Sequence, residues 1–466
     1  MNSIDINLTT TPSSVDLSAL DELVAAGVVH LAGTEAYDAA RVAWNLAVDL
    51  RPAAVAVPSS ADGVAAVIRA ATTAGLRVAA MSTGHGSAPL AETAIDDLLL
   101  VRLSALTGVT VDGDARVARV LGGTIWEDVV AAAAPYGLTA MHGSAPDVGV
   151  VGYLLGGGLS FYGRKHGIAA NSLTAVEVVT ADGELVRATA DEHADLFWAA
   201  RGGCGGIGVV VAVELTLLPY AEVFAGMLLW DRERAPEVVA TWAAWTRTVP
   251  DSVTTSLRVM SFPPLPELPP FLSGRDLVVI DGAVLEDDVT AAELLAPLRA
   301  LTPEVDTFGR MPAAGLLAVH MDPPEPVPAV GEHALLGELD DEALAAFLSQ
   351  VGPGTSAGLM LAELRHLGGA LGRPAEDGGA LSRIDGAYAL LCIAMAPTPQ
   401  AVVAGRAAAF SVVRAMARWS RVGLVPTFTE VRVDTSRFHD AEDWARLGRV
   451  RAAIDPRGTF SSGNGG

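Results

Sequence analysis

Three consecutive glycines, Gly156, Gly157 and Gly158, sit inside the most glycine-dense stretch of the chain, Gly143 to Gly163. Backbone without side chains can be approached very closely, as a large flat ligand lying on main chain requires. The flanking Val150-Val151 and Leu154-Leu155 are apolar, which argues against a merely flexible loop. A second element lies upstream, Met81-Ser82-Thr83-Gly84-His85-Gly86-Ser87-Ala88, between two strand patterns. Its glycines let backbone amides converge on an anion such as a pyrophosphate. His85, between two glycines, is unshielded and its imidazole can reach a ring system. An ordinary tight loop with an exposed histidine fits these residues taken alone about as well.

Bulk properties narrow the rest. A chain of 466 residues is too long for one ordinary core and points to two or three domains, or two with one interrupted by the other. About half the residues are apolar (51%) and 18% are charged, as suits large buried cores. With 54 acidic against 31 basic side chains the net charge is −23, which disfavours nucleic acid and anionic membrane and leaves a small molecule as the expected partner. Lys165 is the only lysine, so Schiff-base chemistry and a Gly-Lys-Ser/Thr phosphate loop drop out. Cys204 and Cys392 cannot build a disulfide framework or a cysteine zinc site, and both read as buried thiols. The opening residues lack a basic and an apolar signal region, and long uncharged stretches are broken by Gly or Pro, so a cytoplasmic protein is expected. Oligomeric state is not legible.

Along the chain, helical patterns run from Asp16 to Val29 and from Asp38 to Ala47. A β-α-β unit follows: strand Ala53 to Val57, capping Ser59-Ser60-Ala61-Asp62, helix Gly63 to Ala74 and strand Arg77 to Ala80. Strands are expected at Leu98 to Arg102, Val109 to Val111 and Val117 to Val120, with a helix at Ile125 to Tyr136. Gly183 marks a hairpin between Thr174 to Thr180 and Glu184 to Ala188, and Gly208 to Leu217 reads as a buried strand. Past Ala225 the rhythm changes. Apolar alternation at Leu277 to Ala283, Leu359 to Leu367 and Tyr388 to Ala396 suggests an antiparallel sheet, covered by helices at Ala235 to Val249, Thr290 to Leu301, Asp340 to Gln350 and Thr398 to Trp419.

Two motif matches mislead. Gly203-Cys-Gly-Gly-Ile-Gly208 fits a dinucleotide fingerprint but opens a strand, and Gly354-Thr-Ser-Ala-Gly358 fits a nucleophile elbow but runs from helix into strand, leaving Ser356 a loop residue. His142, His166, His193 and His320 lack metal-ligand spacing, so no metal is expected.

Taken together, the Gly-His-Gly loop, Asp147-Val-Gly149 with its glycine triplet, Arg164-Lys-His-Gly167, Thr180-Ala-Asp-Gly183, Asp195-Leu-Phe-Trp198, Arg365-His-Leu-Gly-Gly369 and Ile454-Asp-Pro-Arg-Gly-Thr-Phe460 resemble the berberine bridge enzyme-like branch of the flavin oxidases with the vanillyl-alcohol-oxidase, PCMH-type fold. The resemblance implies an α+β fold: a two-part FAD-binding domain over 1–225, a substrate domain over 226–420 with an antiparallel sheet covered by helices, and a segment, 421–466, that returns to the first domain. It implies FAD held by Met81, Ser82, Thr83, Gly84, His85, Gly86 and Ser87, by Gly143, Ser144, Pro146, Asp147, Val148, Gly149, Gly152, Gly156, Gly157, Gly158 and Leu159, and by Gly208, Val209 and Val210. His85 corresponds to the histidine that bonds the flavin 8α-methyl. Some relatives add a cysteine bond where this chain has Ala145, so a single bond is expected.

The chain also departs from the pattern. Val425 and Thr427, before Phe428, replace a Tyr-x-Asn that many relatives carry, and the familiar ending after Phe460 is absent. The resemblance implies hydride transfer from a small organic molecule, in many relatives a secondary metabolite, to flavin N5, then reoxidation by O2. Given the departures, a redox-neutral cyclisation or isomerisation on a flavin scaffold and a non-catalytic binding protein stay open. Strand alternation puts Glu363 and Arg365 on one face and Leu364 and His366 on the other, and Glu363, His366 and Tyr388 are the candidates for a catalytic base, although each taken singly reads more readily as a structural hydrogen-bonding residue.

Overall fold

The computed structural model describes residues 16–266, 268–355 and 358–461. The opening residues and Ser356, on which two of the sequence expectations fall, lie outside them.

The first sheet has four strands in the order Val29–Leu31, Ala54–Ala56, Leu98–Arg102, Arg77–Met81. The last three run parallel, and Val29–Leu31 pairs antiparallel at the edge. Helix Ala61–Thr73 starts where Ser60 accepts from the Gly63 amide, and it buries Val64, Val67, Ile68 and Ala71 on this sheet. Gly75, at φ +70°, turns the chain into Arg77–Met81. The end of the chain comes back here: Phe460 bridges to Val78, and Ser461 donates to the Val78 carbonyl.

A second sheet of five antiparallel strands runs Val109–Asp112, Val117–Leu121, Val209–Thr216, Leu173–Val179, Leu185–Ala188. Gly208 opens its central strand at φ +127°, and a Cβ there would lie 2.4 Å from Val178 and 2.7 Å from the Val179 carbonyl. The Gly203 to Gly208 match therefore feeds a strand and not a helix, as its apolar run requires.

The third sheet has eight strands. Its path is Val305–Asp306, Glu222–Asp231, Asp276–Val284, Val253–Ser261, Leu361–His366, Tyr388–Met395, Ala329–Leu336, with Gly309–Pro312 also paired to Glu222–Asp231. Helices Ala235–Thr246, Asp288–Arg299, Asp341–Val351 and Pro399–Ala415 cover one face, packing Trp242, Leu295, Phe347 and Val412 onto Leu257, Leu364 and Leu390. Glu222–Asp231 crosses the expected boundary at 225 and lies wholly in this sheet.

Near the N-terminus the structure differs from the pattern. The helix of Asp21–Ala25 stops at Gly27 (φ +71°), which frees Val29–Leu31 to pair with the sheet. Helix Glu35–Ala40, capped by Thr34, ends well before Ala47. Beyond it Asn45 bonds the Ala329 main chain through both ends of its amide, at 2.9 and 3.1 Å, tying this region to the third sheet.

Candidate functional site

The strand Arg77–Met81 delivers its chain into the His85 loop. Gly84 has φ +90°, and a Cβ there would lie 2.9 Å from Ala43 Cα, so only glycine fits both the turn and the approach. Ser87 Oγ donates back to the Gly84 carbonyl at 2.7 Å, and the Trp44 amide donates to the Thr83 carbonyl at 2.9 Å. The amides of Thr83, Gly84, His85 and Gly86 have no acceptor among the described residues, which is the state expected of a loop built to hold an anion.

The glycine-dense segment meets this loop directly. Gly149 packs on Ser82 so closely that a Cβ would lie 2.6 Å from its Oγ, and the Gly149 amide donates to Thr83 Oγ1 at 3.4 Å. The Trp126 and Glu127 amides donate to the Val148 and Pro146 carbonyls. Helix Val150–Leu155 then leads to Gly157 and Gly158, both with positive φ. Their carbonyls accept from Ala170 and Ala169 at 2.8 and 3.2 Å, and a Cβ on Gly158 would lie 2.3 Å from the Tyr153 ring. Gly152 is the exception, with no atom within 4 Å of a Cβ. At the start of the buried strand, Val210 closes over Gly122, where a Cβ would lie 2.9 Å from the Val210 carbonyl.

Several buried polar atoms around this segment, Tyr153 OH, His142 Nε2 and Thr427 Oγ1 among them, have no hydrogen-bond partner among the described residues. His142 is kept neutral by burial, which lowers its pKa to about 4. Free amides, bare backbone and unpaired buried polar atoms together fit a large ligand carrying a diphosphate and a polar ring system.

His85 stands at the rim of the loop, its side chain 22% exposed. Its Nε2 lies 3.1 Å from Asp147 Oδ1, and its ring stacks on Trp44 with centroids 4.1 Å apart and 20° between planes. Trp44 Nε1 donates to the other Asp147 oxygen. Burial works against the Asp147 charge, but the His85 and Trp44 donors outweigh it and its pKa lies below the usual aspartate value.

The face of the eight-stranded sheet away from its covering helices carries a buried polar cluster. Register places Ser256 beside both Asp281 and Arg365, and Arg258 beside Glu363. Asp281, fully buried, accepts from Arg258, from Ser256 at 2.5 Å and pairs with His320 Nδ1 at 2.9 Å. Burial opposes its ionisation, yet Arg258 and His320 hold its pKa far below normal. Arg365 donates to Glu363 at 2.7 Å, lies 3.3 Å from His320 Nε2, and spreads over the rings of Phe161 at 5.6 Å and Phe428 at 5.2 Å. Burial disfavours the Arg365 charge, but Glu363 and Asp281 more than restore it. Phe161 follows the glycine triplet and Phe428 belongs to the returning segment, so this cluster faces the glycine-rich loops.

The three base candidates are thus separated. Glu363 faces the seam between the sheets. His366 and Tyr388 lie on the helix-covered face: His366 Nε2 is 2.8 Å from Arg164, its pKa pushed well down by burial, and Tyr388 OH bonds Thr246 Oγ1 at 2.6 Å. Both are packing and hydrogen-bonding residues in a closed core, stacked 5.7 Å apart. Sequence reading missed Trp44, Arg258, Asp281 and His320. Asp281 interrupts an otherwise apolar strand, and that was the one signal available. Among the described residues no cluster of His, Cys, Asp or Glu could hold a metal, and no helix is long and apolar enough to cross a membrane.

Residues 52–189 match the FAD binding domain family. Glucooligosaccharide oxidase of Sarocladium strictum is 32% identical over 235 residues, 49% of this chain and 47% of that protein. The chain thus spans about half the length of the curated relatives it matches. The structure of a berberine bridge enzyme-like protein from Physcomitrella patens aligns with 95% of this chain and 98% of its own at TM-score 0.81 and 18% identity. That of glucooligosaccharide oxidase from Acremonium strictum, which carries a 6-S-cysteinyl, 8α-N1-histidyl FAD, covers 96% and 98% at TM-score 0.78 and 21% identity. The chain therefore has the fold shared by berberine bridge enzyme-like, PCMH-type flavoproteins, and its residues 52–189 match an FAD-binding domain.

Proposed function

We propose that the protein is an FAD-linked oxidase that removes a hydride from a small organic substrate, passes the electrons to O2, and holds its FAD by one covalent bond from His85. The observation that carries this reading is the loop of Thr83 to Gly86, whose amides have no acceptor among the described residues and whose imidazole stands at the rim, held by Asp147 and Trp44. FAD, when bound, supplies a hydride acceptor at N5 and a ring that O2 reoxidises with release of hydrogen peroxide.

The chain's own residues bind, orient and move protons. The loop amides meet the diphosphate, and the bare backbone of Gly149 and Gly156 to Gly158 admits the ring system. Glu363 and His320 are the groups on the sheet face that can accept the proton of a substrate O–H or N–H. Arg365, fixed by Glu363 and two aromatic rings, offers a preorganised positive charge to the oxygen or nitrogen from which that proton leaves. Asp281 accepts the His320 Nδ1 proton and leaves Nε2 as the basic nitrogen. With Val425 at the position where many relatives have tyrosine, these residues take over proton removal.

A single bond is favoured because the segment 143–149 contains no cysteine. A neutral or cationic alcohol or amine suits a chain of net charge −23 better than an anion.

The test is anaerobic mixing of the holoenzyme with sugars, benzylic alcohols and cyclic amines, followed at the flavin absorbance band. Bleaching by at least one compound, with peroxide on readmitting O2, is expected, and Glu363→Gln should slow bleaching by about 10²-fold or more. Turnover without peroxide would replace oxidation by redox-neutral chemistry, and a bound flavin that no compound reduces would make the protein a binder.

A further inference from the structure

Resting on attachment at His85, we propose that Asp147 fixes the tautomer of that histidine and so selects Nδ1 as the nitrogen that bonds FAD. A carboxylate only accepts hydrogen bonds, so the contact of Asp147 Oδ1 with His85 Nε2 at 3.1 Å places the imidazole proton on Nε2. Nδ1 is then the lone pair, and the nitrogen covered by Asp147 is closed to attack. The ionised state of Asp147 follows from its two donors, His85 on one oxygen and Trp44 on the other.

The same three residues hold the ring still. Trp44 is a flat platform 4.1 Å beneath the imidazole, and its indole N–H locks the carboxylate that orients it. Trp44 is in turn placed by its own amide, which donates to Thr83 in the loop that carries His85. An imidazole loses most of the freedom it would otherwise spend before reaching a bound ring.

In the bonding step His85 Nδ1 forms a bond to the 8α carbon as one C8α–H bond breaks. The alkylated imidazole carries a positive charge until its Nε2 proton leaves, and Asp147 is both its counter-ion and the first acceptor of that proton. The two electrons left on the flavin ring pass to O2, which with the two released protons becomes hydrogen peroxide. Trp44 adds a ring face beneath the transient cation.

Asp147→Ala removes both acceptors. Asp147→Asn is nearly isosteric but keeps only one acceptor oxygen for two donors, and it guards against misfolding of the first variant. The purified full-length proteins are denatured in acid, the fraction of chains heavier by one FAD is read by intact mass, and the histidyl flavin from a digest is assigned to Nδ1 or Nε2 by NMR. The wild type should be bonded through Nδ1 alone. Asp147→Ala should bond on the order of 10²-fold more slowly and give both isomers, while still holding non-covalent FAD, with Asp147→Asn between the two. Bonding in both variants at the wild-type rate and only through Nδ1 overturns the role of Asp147 and leaves attachment at His85 standing. A wild-type chain with no FAD mass overturns both.

Discussion

Replacing Gly149 by alanine isolates the close approach between the two glycine-bearing loops. Gly149 has ordinary extended angles, φ −65° and ψ 127°, so alanine adds no backbone strain and the effect is one of volume. The new Cβ would lie 2.6 Å from Ser82 Oγ and 2.8 Å from Ser82 Cβ. The hydroxyl can rotate away, but the Cβ is fixed to the main chain, and ordinary carbon contacts begin near ~3.5 Å. The start of the His85 loop must therefore shift by roughly half an ångström or more, at a cost of about 1–3 kcal/mol. Expressed in FAD affinity that is a weakening of about 5-fold to 150-fold. The measurement needs reversible binding, so both proteins carry His85→Ala, and FAD is titrated into apoprotein by quenching of flavin fluorescence. Gly448→Ala is the control: its Cβ meets nothing within 4 Å and it lies in helix Ala441–Ile454, outside both loops, so affinity should hold and stability should rise by up to about 1 kcal/mol. Unchanged FAD affinity in the Gly149→Ala protein would refute the account of how the two loops form the site.

Asp281→Asn leaves Arg258 buried without its counter-charge and should cost about 3–5 kcal/mol, read as a fall in thermal midpoint, whereas Asp276→Asn at the exposed end of the same strand should change it little. Tyr388→Phe removes the bond to Thr246 in the helix-covered core, so stability should fall by about 1 kcal/mol while substrate reduction of the flavin keeps its rate; a large loss of rate would return Tyr388 to the chemistry. His142 and His333 have folded pKa values lowered by burial to about 4, below the ordinary 6.5, so between those values the unfolded chain binds more protons and stability falls as pH falls. Each contributes up to about 3 kcal/mol, and a His333→Gln variant should show a flatter decline across that window in denaturant titrations.

Local patterns were readable where sequence and surroundings ask for the same residues. Ser60 caps its helix, Gly75 ends it, and the apolar strands Ala54–Ala56 and Leu98–Arg102 lie in a parallel sheet that is covered on both faces. Val253–Ser261 was missed because its inward face carries Thr254, Ser256 and Arg258, which break the apolar alternation while remaining buried. The polar groups of Ser256 and Arg258 find their partners in Asp281 and the His320 carbonyl, which come from other parts of the chain. Alternation on Leu361–His366 separated Glu363 from His366 correctly, but which face meets the glycine-rich loops depends on the helices packed behind the sheet. Trp44 gave no local sign of its place, because the stack on His85 and the bond to Asp147 join residues brought together by two separate loops.

Attachment of FAD at His85 is read most simply from the visible spectrum of the purified protein before and after acid precipitation, with His85→Ala alongside. A flavin spectrum is expected in both native proteins, with colour that stays in the wild-type pellet and colour that leaves the His85→Ala pellet for the supernatant. Colour lost from both pellets would contradict the bond at His85, and two colourless native proteins would contradict flavin chemistry in this fold.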